Sequence, residues 1–559
     1  MLSSFWLVLV TACGLGHAAT ISGGPVIYED LADLDVFRVN NTYYYTASTM
    51  HYSPGAPILE STDLVNWAYI GHAVPSLDFG NNKYSLQGGN AYVKGIYASS
   101  LRRRPSDGQW FWVGCIEYSR SYVYTAPSAT GPWTQLVQFS NQCYYDCGLL
   151  FDDDMTPYIA YGSNTIHVAQ LAKDLKSRVK DTAVYTYPVG VEGSRMYKIK
   201  GTYYIINDAP STFTQYVMKS SSIGGTWTST TLAAAPACPV SGGGPPHQGG
   251  IVDDVNGNWY YMAFCDAFPG GRVPVLAPIQ FNSQGFPTLP NTESWPTTIT
   301  TPMAANVIAP YTVADTFSGT TLGPQYEWNH NPDTTKFKVN NGLTLNTATV
   351  TSDFNMARNT LTHRILGPKS VATIKLDYSK MQDGDRAGLV LLRDVSDWVG
   401  LIKNGNTVTL GVWSGITLTS GSSGWSTTNA GSLATSTSAT ATGTIYLRCT
   451  ANILPSGNHQ AQFAYSTNGN TFTNIGNAQT MTTAWQFFMG YRYDRILSSR
   501  WNKPLPVLLI PTGAAYWVGI QQREQLREMD QQQAEILDAL RALAENDVSK
   551  VERMAGARQ

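Results

Sequence analysis

Charge is scarce in this chain: Asp, Glu, Lys and Arg make up 14% of 559 residues, and the formal net charge is -2. That excludes the electrostatic footprint by which proteins hold nucleic acid or anionic membranes. The densest basic spot, "RRR" at 102–104, abuts "PSDG" and reads as a solvated loop. Long apolar runs are missing too. The one apolar stretch, in "MLSSFWLVLVTACGLGHAAT", is too short to span a bilayer. With Gly16 and Ala18 placed as a cleavage site requires, residues 1–18 read as a signal peptide, so a secreted, extracellular protein is expected. Of seven cysteines, cleavage removes Cys13 and leaves an even remainder, which permits disulfides whose pairing spacing does not decide. No CxxC pair or His cluster accompanies Cys143 and Cys147, which argues against a metal site and for bonded or buried cysteines.

What the chain has in abundance is aromatic and turn-forming residues: 15 Trp, 32 Tyr, 50 Gly and 29 Pro. This is the composition of an all-β, loop-rich protein whose aromatic surfaces suit sugar rings. A turn feeding an aromatic strand recurs at "NNTYYYTAS" from 40, "SDGQWFWVGC" from 106, "DDDMTPYIAYG" from 152, "IKGTYYIIND" from 199 and "VNGNWYYMAF" from 255. Five such units, spaced as four-stranded blades are, predict a five-bladed β-propeller over residues 19–305, with inner strands converging on an axial cavity. A sequon at Asn40 offers a glycan site.

Three carboxylates stand beside inner strands of different units: Asp33 before "VFRV", Asp146 before "CGLLFDDD" and Glu192 in "VEGSRMYKI". Singly, each has an ordinary reading as a cap or surface strand residue; together they suit glycoside hydrolysis. That reaction needs one carboxylic acid to protonate the leaving oxygen and one carboxylate to activate water or attack carbon. Asp35 shares a strand face with Asp33 and is assigned a structural role, as is the acidic turn 152–154.

The ordered series "ADLDVFRVNNTYYYTAST", "ILESTDLVNWAYIGHAV", "DCGLLFDDDMTPYIAYG", "EGSRMYKIKGTYYIIND" and "GRVPVLAPIQFNSQGFP" resembles glycoside hydrolase family 43 over about residues 24–290. The resemblance implies a five-bladed propeller and an inverting reaction. It makes Asp33 the general base, Glu192 the general acid and Asp146 the residue that orients the acid and modulates its pKa. It also makes Arg272 and His247 substrate-binding residues, His247 at the cavity floor. Inversion places base and acid about 6.5–9.5 Å apart. Leu34 stands where the family usually has Pro, and Tyr97 where it commonly has Trp.

After a linker at 306–314, "EWNHNPD", "MARNTLTHR" and "DGDRAGLVLL" resemble the concanavalin A-like β-sandwich found C-terminal to such propellers, here over 315–493. Residues 494–559 form an atypical tail: Leu526, Met529, Ile536, Leu540 and Leu543 lie near a/d spacing of a helix, and the stretch reads as a mispredicted exon or a fusion. The expected activity is that of a secreted exo-α-L-arabinofuranosidase on arabinoxylan side chains, with β-xylosidase as the alternative and a non-catalytic glycan-binding propeller as the rival from another class. Expected partners are arabinoxylan, xylan or arabinan oligosaccharides, with no nucleic acid and no membrane, and the chain is expected to be a monomer. No cofactor is required. A structural calcium near His247 occurs in the family but has no ligand spacing to support it here.

Overall fold

The computed structural model describes residues 18–22, 24–306, 308, 314–439, 443–499 and 506–508. Each of the five aromatic runs becomes the second strand of a four-stranded antiparallel sheet: Thr42–Thr46, Trp110–Ile116, Pro157–Gly162, Thr202–Ala209 and Trp259–Asp266. The preceding strands are Asp35–Val39, Ile96–Arg103, Gly148–Phe151, Glu192–Ile199 and His247–Asp253. Each packs on the first strand of the next sheet, and the last returns to the first, closing a ring. Apolar side chains alternate along these strands and fill the wedges between sheets, as with Trp112, Tyr122 and Ile58. The strand Ala18–Ser22 pairs with Thr298–Ala304, tying the start of this domain to its end.

Close approach at the axis depends on a glycine. A Cβ on Gly148 would lie 2.3 Å from the Ser194 carbonyl and 2.6 Å from the Met196 amide. Only a residue without a side chain lets the third and fourth inner strands touch, and this contact draws Asp146 towards Glu192.

The basic run corrects one expectation. Arg102 and Arg103 end the strand Ile96–Arg103, and Arg102 donates to the fully buried Asp35 at 2.6 Å instead of facing solvent. Asp35 also accepts from Ser100 Oγ at 2.6 Å and the Leu101 amide at 3.1 Å, a structural role as expected. Disulfides join Cys115 to Cys143 and Cys238 to Cys265, while Cys147 and Cys449 are buried thiols.

The second domain faces an eight-stranded sheet against a five-stranded one over a shared apolar core. Its strand Arg492–Ser499 crosses the boundary expected at 493 and lies inside the larger sheet, between Asp385–Leu392 and Leu361–Arg364. Pro506–Leu508 pairs with Leu343–Asn346. The helix expected beyond, the linker core and residues 1–17 of the leader lie outside the described residues. Among the described residues the only helices are three short 3-10 turns, and no helix is long and apolar enough to cross a membrane.

The domains are joined covalently in sequence and also through a shared sheet, because Tyr52–Ser53 adds to the edge strand Glu327–Asn329. At this seam the buried Glu327 pairs with Arg364 at 3.0 Å and Arg492 at 2.6 Å. Burial opposes its charge, yet the two guanidiniums, helped by His72, hold its carboxyl well below the usual range. A depressed native pKa contributes stability that is full above the unfolded value of about 4.3 and is lost as pH falls below it. Glu327→Gln is therefore expected to flatten the acid side of the stability profile. It should also cost about 3–5 kcal/mol in urea unfolding, since two buried guanidiniums lose their counter-charge.

Candidate active site

Asp33, Asp146 and Glu192 come together as the sequence predicts, lining one cavity of about 230 Å³ at the end of the ring axis. Asp33 and Asp146 each lie two residues before their strands and both have left-handed backbones, φ 57° and 46°. Such conformations are costly for residues with a Cβ and persist where the surroundings fix them. The fixing group is Arg195, fully buried between three inner strands. Its Nη2 donates to the Asp33 carbonyl at 2.8 Å, its Nε to the Leu34 carbonyl at 3.0 Å and its Nη1 to the Cys147 carbonyl. One planar guanidinium thus ties down the backbones beside both acids. Asp146 is anchored further by the Ser194 amide, which donates to its carbonyl at 2.8 Å.

The three side chains differ in their partners. Arg272 grips Asp33 through both oxygens, Nη1 to Oδ1 at 2.7 Å and Nη2 to Oδ2 at 3.1 Å, a fork-to-fork ion pair. Asp146 accepts from Gln248 Nε2 at 3.2 Å. Its carboxyl is pushed well above the usual range, first by burial and then by the facing charges of Glu192 and Asp33. Glu192 is raised to about 7, by burial first and then by the charge of Asp208, with Asp33 adding to it and Tyr145 and His247 working against it. The Tyr145 hydroxyl donates to Glu192 Oε2 at 2.9 Å, so the acid's own proton belongs on Oε1. The arrangement offers an ion-paired carboxylate and a protonated carboxylic acid in one cavity, the two functions that glycoside hydrolysis requires.

His247 does not line this cavity. It lies behind Glu192, its Nδ1 3.2 Å from Asp208 Oδ2 and its Nε2 3.7 Å from Asp266 Oδ2. Burial disfavours its charge, but the two carboxylates prevail and raise it to about 10. Among the described residues no group of three His, Cys, Asp or Glu side chains is placed to hold a metal ion. The lining residue is its neighbour Gln248.

Other lining residues carry no motif of their own: Tyr118, Tyr145 and, from the second domain, Phe488. Arg272 Nε donates to the Phe488 carbonyl at 3.0 Å, so the residue that grips Asp33 also holds the second domain against the cavity. Tyr97, where the family commonly has Trp, also lines it and stacks on Tyr118 with ring centroids 5.1 Å apart. The raised Glu192 pKa sets a pH dependence. If the protonated form is the active one, kcat/KM falls about ten-fold per pH unit above about 7, and Glu192→Asp, with its shorter reach, should displace that limb. A pH-rate series checks both.

Two family models match the chain, glycosyl hydrolases family 43 over residues 22–287 and the β-xylosidase C-terminal concanavalin A-like domain over 314–493. A β-xylosidase of Formosa agariphila is 27% identical over 445 residues, covering 67% of this chain and 74% of its own length. A non-reducing end α-L-arabinofuranosidase of Bacteroides ovatus is 25% identical over 424 residues, covering 69% and 77%. Among solved structures, a GH43 glycoside hydrolase with an engineered active site, displaying both endo-xylanase and exo-arabinofuranosidase activity, superposes with a TM-score of 0.84. It is 41% identical and covers 88% of this chain and 98% of that one.

Proposed function

The chain belongs to glycosyl hydrolase family 43, and from that premise we propose that it is a secreted, inverting exo-α-L-arabinofuranosidase that trims arabinoxylan side chains. The ring of five sheets is read as a five-bladed propeller whose axial cavity takes one terminal sugar. The observation that carries the reading is the division of labour among three convergent carboxyls: Asp33 in a bidentate ion pair, Glu192 raised to about 7, Asp146 buried between them.

In this mechanism Asp33 takes a proton from water as the water attacks the anomeric carbon, and Glu192 Oε1 delivers its proton to the departing oxygen. Asp146, held by Gln248 and itself raised, is read as the group that orients Glu192, which burial and the Asp208 charge keep protonated. Arg272 aims Asp33, and His247 backs Glu192 from behind. Arabinofuranose is favoured because a 41% identical structure is of an enzyme with exo-arabinofuranosidase activity. A β-xylosidase reading with the same residues in the same roles is favoured by the type of the second domain and by the Formosa agariphila relative.

A proton NMR time course with wheat arabinoxylan and with xylo-oligosaccharides tests the proposal. Free arabinose seen first as the inverted anomer is the expected result. Xylose as first product moves the chain to the alternative, and a retained anomer overturns the single-displacement mechanism.

A further inference from the structure

Three aromatic side chains at the cavity stay in water: Tyr118 is 64% exposed, Trp485 58% and Phe488 37%. They are three of only eight exposed large hydrophobics among the described residues, in a fold that buries most of its aromatics. Tyr118 and Phe488 line the cavity, and Trp485 sits just outside it, its ring edge-on to Phe488 at 5.7 Å. Clustered exposed apolar surface at the opening of a site marks a binding surface, whereas scattered single residues need no explanation.

The loop that displays Trp485 is built, not loose. Arg393, fully buried, donates through Nε to the Met489 carbonyl at 2.7 Å and through Nη2 to the Ala484 carbonyl, holding the loop at both ends. Its guanidinium lies 5.2 Å from the ring of Phe268 in the first domain and 5.7 Å from Phe487, and pairs with Asp394 at 2.8 Å. A rigid aromatic loses little conformational entropy when a ligand covers it.

The scissile bond must lie beside Glu192, with the terminal sugar inside the cavity, so the sugar that carries it emerges where these rings stand. The geometry points to an acceptor-side platform: Trp485, with Phe488 and Tyr118 beside it, stacks the pyranose ring of the xylan chain to which the scissile pentose is attached. A sugar presents an apolar C–H face that an indole covers, and its hydroxyls remain in water at this open edge. This inference rests on the glycosidase reading given above.

The test uses the full chain with Trp485→Ala and Trp485→Phe, on an arabinoxylo-oligosaccharide and on the fluoride of the same pentose, which has no sugar to stack. For Trp485→Ala, kcat/KM is expected to fall about ten-fold further on the oligosaccharide than on the fluoride, the size of one stacking contact, with Trp485→Phe recovering most of it. Equal losses on both substrates overturn the platform. A second arm is independent of turnover: calorimetry of xylohexaose on Glu192→Gln with and without Trp485→Ala, with free arabinose as the cavity ligand. A ten-fold weaker xylohexaose affinity at constant arabinose affinity supports the platform even if no substrate is hydrolysed. An unchanged xylohexaose affinity overturns it.

Discussion

Glu192→Gln is expected to cleave pentosides with sugar leaving groups roughly 10²–10⁴-fold more slowly, the usual worth of a positioned general acid. The amide keeps the size of the acid and its contact with the Tyr145 hydroxyl but has no proton to give. A pentosyl fluoride, whose leaving group departs without protonation, should keep far more of its rate. Asp33→Asn is expected to lose both substrates alike, because water activation is needed whatever leaves. It also strips the charge from one side of the ion pair with Arg272. Rates on the two substrates, measured for both variants, assign the roles. If Glu192→Gln loses the fluoride as fully as the oligosaccharide, Glu192 is not the acid, and if Asp33→Asn spares the fluoride, Asp33 is not the base.

Arg195→Met should lower both stability and activity. The guanidinium donates to the carbonyls of Asp33, Leu34 and Cys147, and methionine leaves all three buried acceptors without a partner. At about 1–3 kcal/mol for each unsatisfied group, the loss is about 3 kcal/mol or more in urea unfolding. Activity should fall beyond what stability explains, since Asp33 and Asp146 hold left-handed backbones that this residue fixes from behind. Arg195→Lys recovers a part, because one ammonium cannot span three carbonyls as a planar fork does. Full activity in a folded Arg195→Met would remove Arg195 from the positioning of the acids.

Much of this was legible in the sequence, for identifiable reasons. The aromatic hairpin repeat is local and periodic, so the five second strands stood out. Asp33, Asp146 and Glu192 precede or begin strands of the first, third and fourth units, and a ring brings such positions together. Arg272 entered through its place in the family-like series "GRVPVLAP". What escaped notice depends on contacts between distant parts. Arg195 sits three residues after Glu192, and nothing in "EGSRMY" says that its side chain turns inward to three carbonyls. Gln248 was overshadowed by His247, whose ring is drawn away by Asp208 and Asp266. Phe488 has no local signal at all, because its place at the cavity is decided by how the second domain docks. "RRR" was misread because the partner of Arg102 is an aspartate 67 residues earlier.

The pairing of Ala18–Ser22 with Thr298–Ala304 has a consequence for the growing chain on the ribosome. The first strand waits for a partner some 280 residues downstream, as the Thr20–Thr300 contact shows, and at about 5–20 residues per second that is a delay on the order of tens of seconds. The cavity waits longer still, for Phe488. Until then the nascent chain presents unpaired strand edges and apolar wedges, so the interval before release is when chaperones matter most. A hydrolytic site assembled only near the end of synthesis also means that truncated translation products carry the acids without a finished cavity.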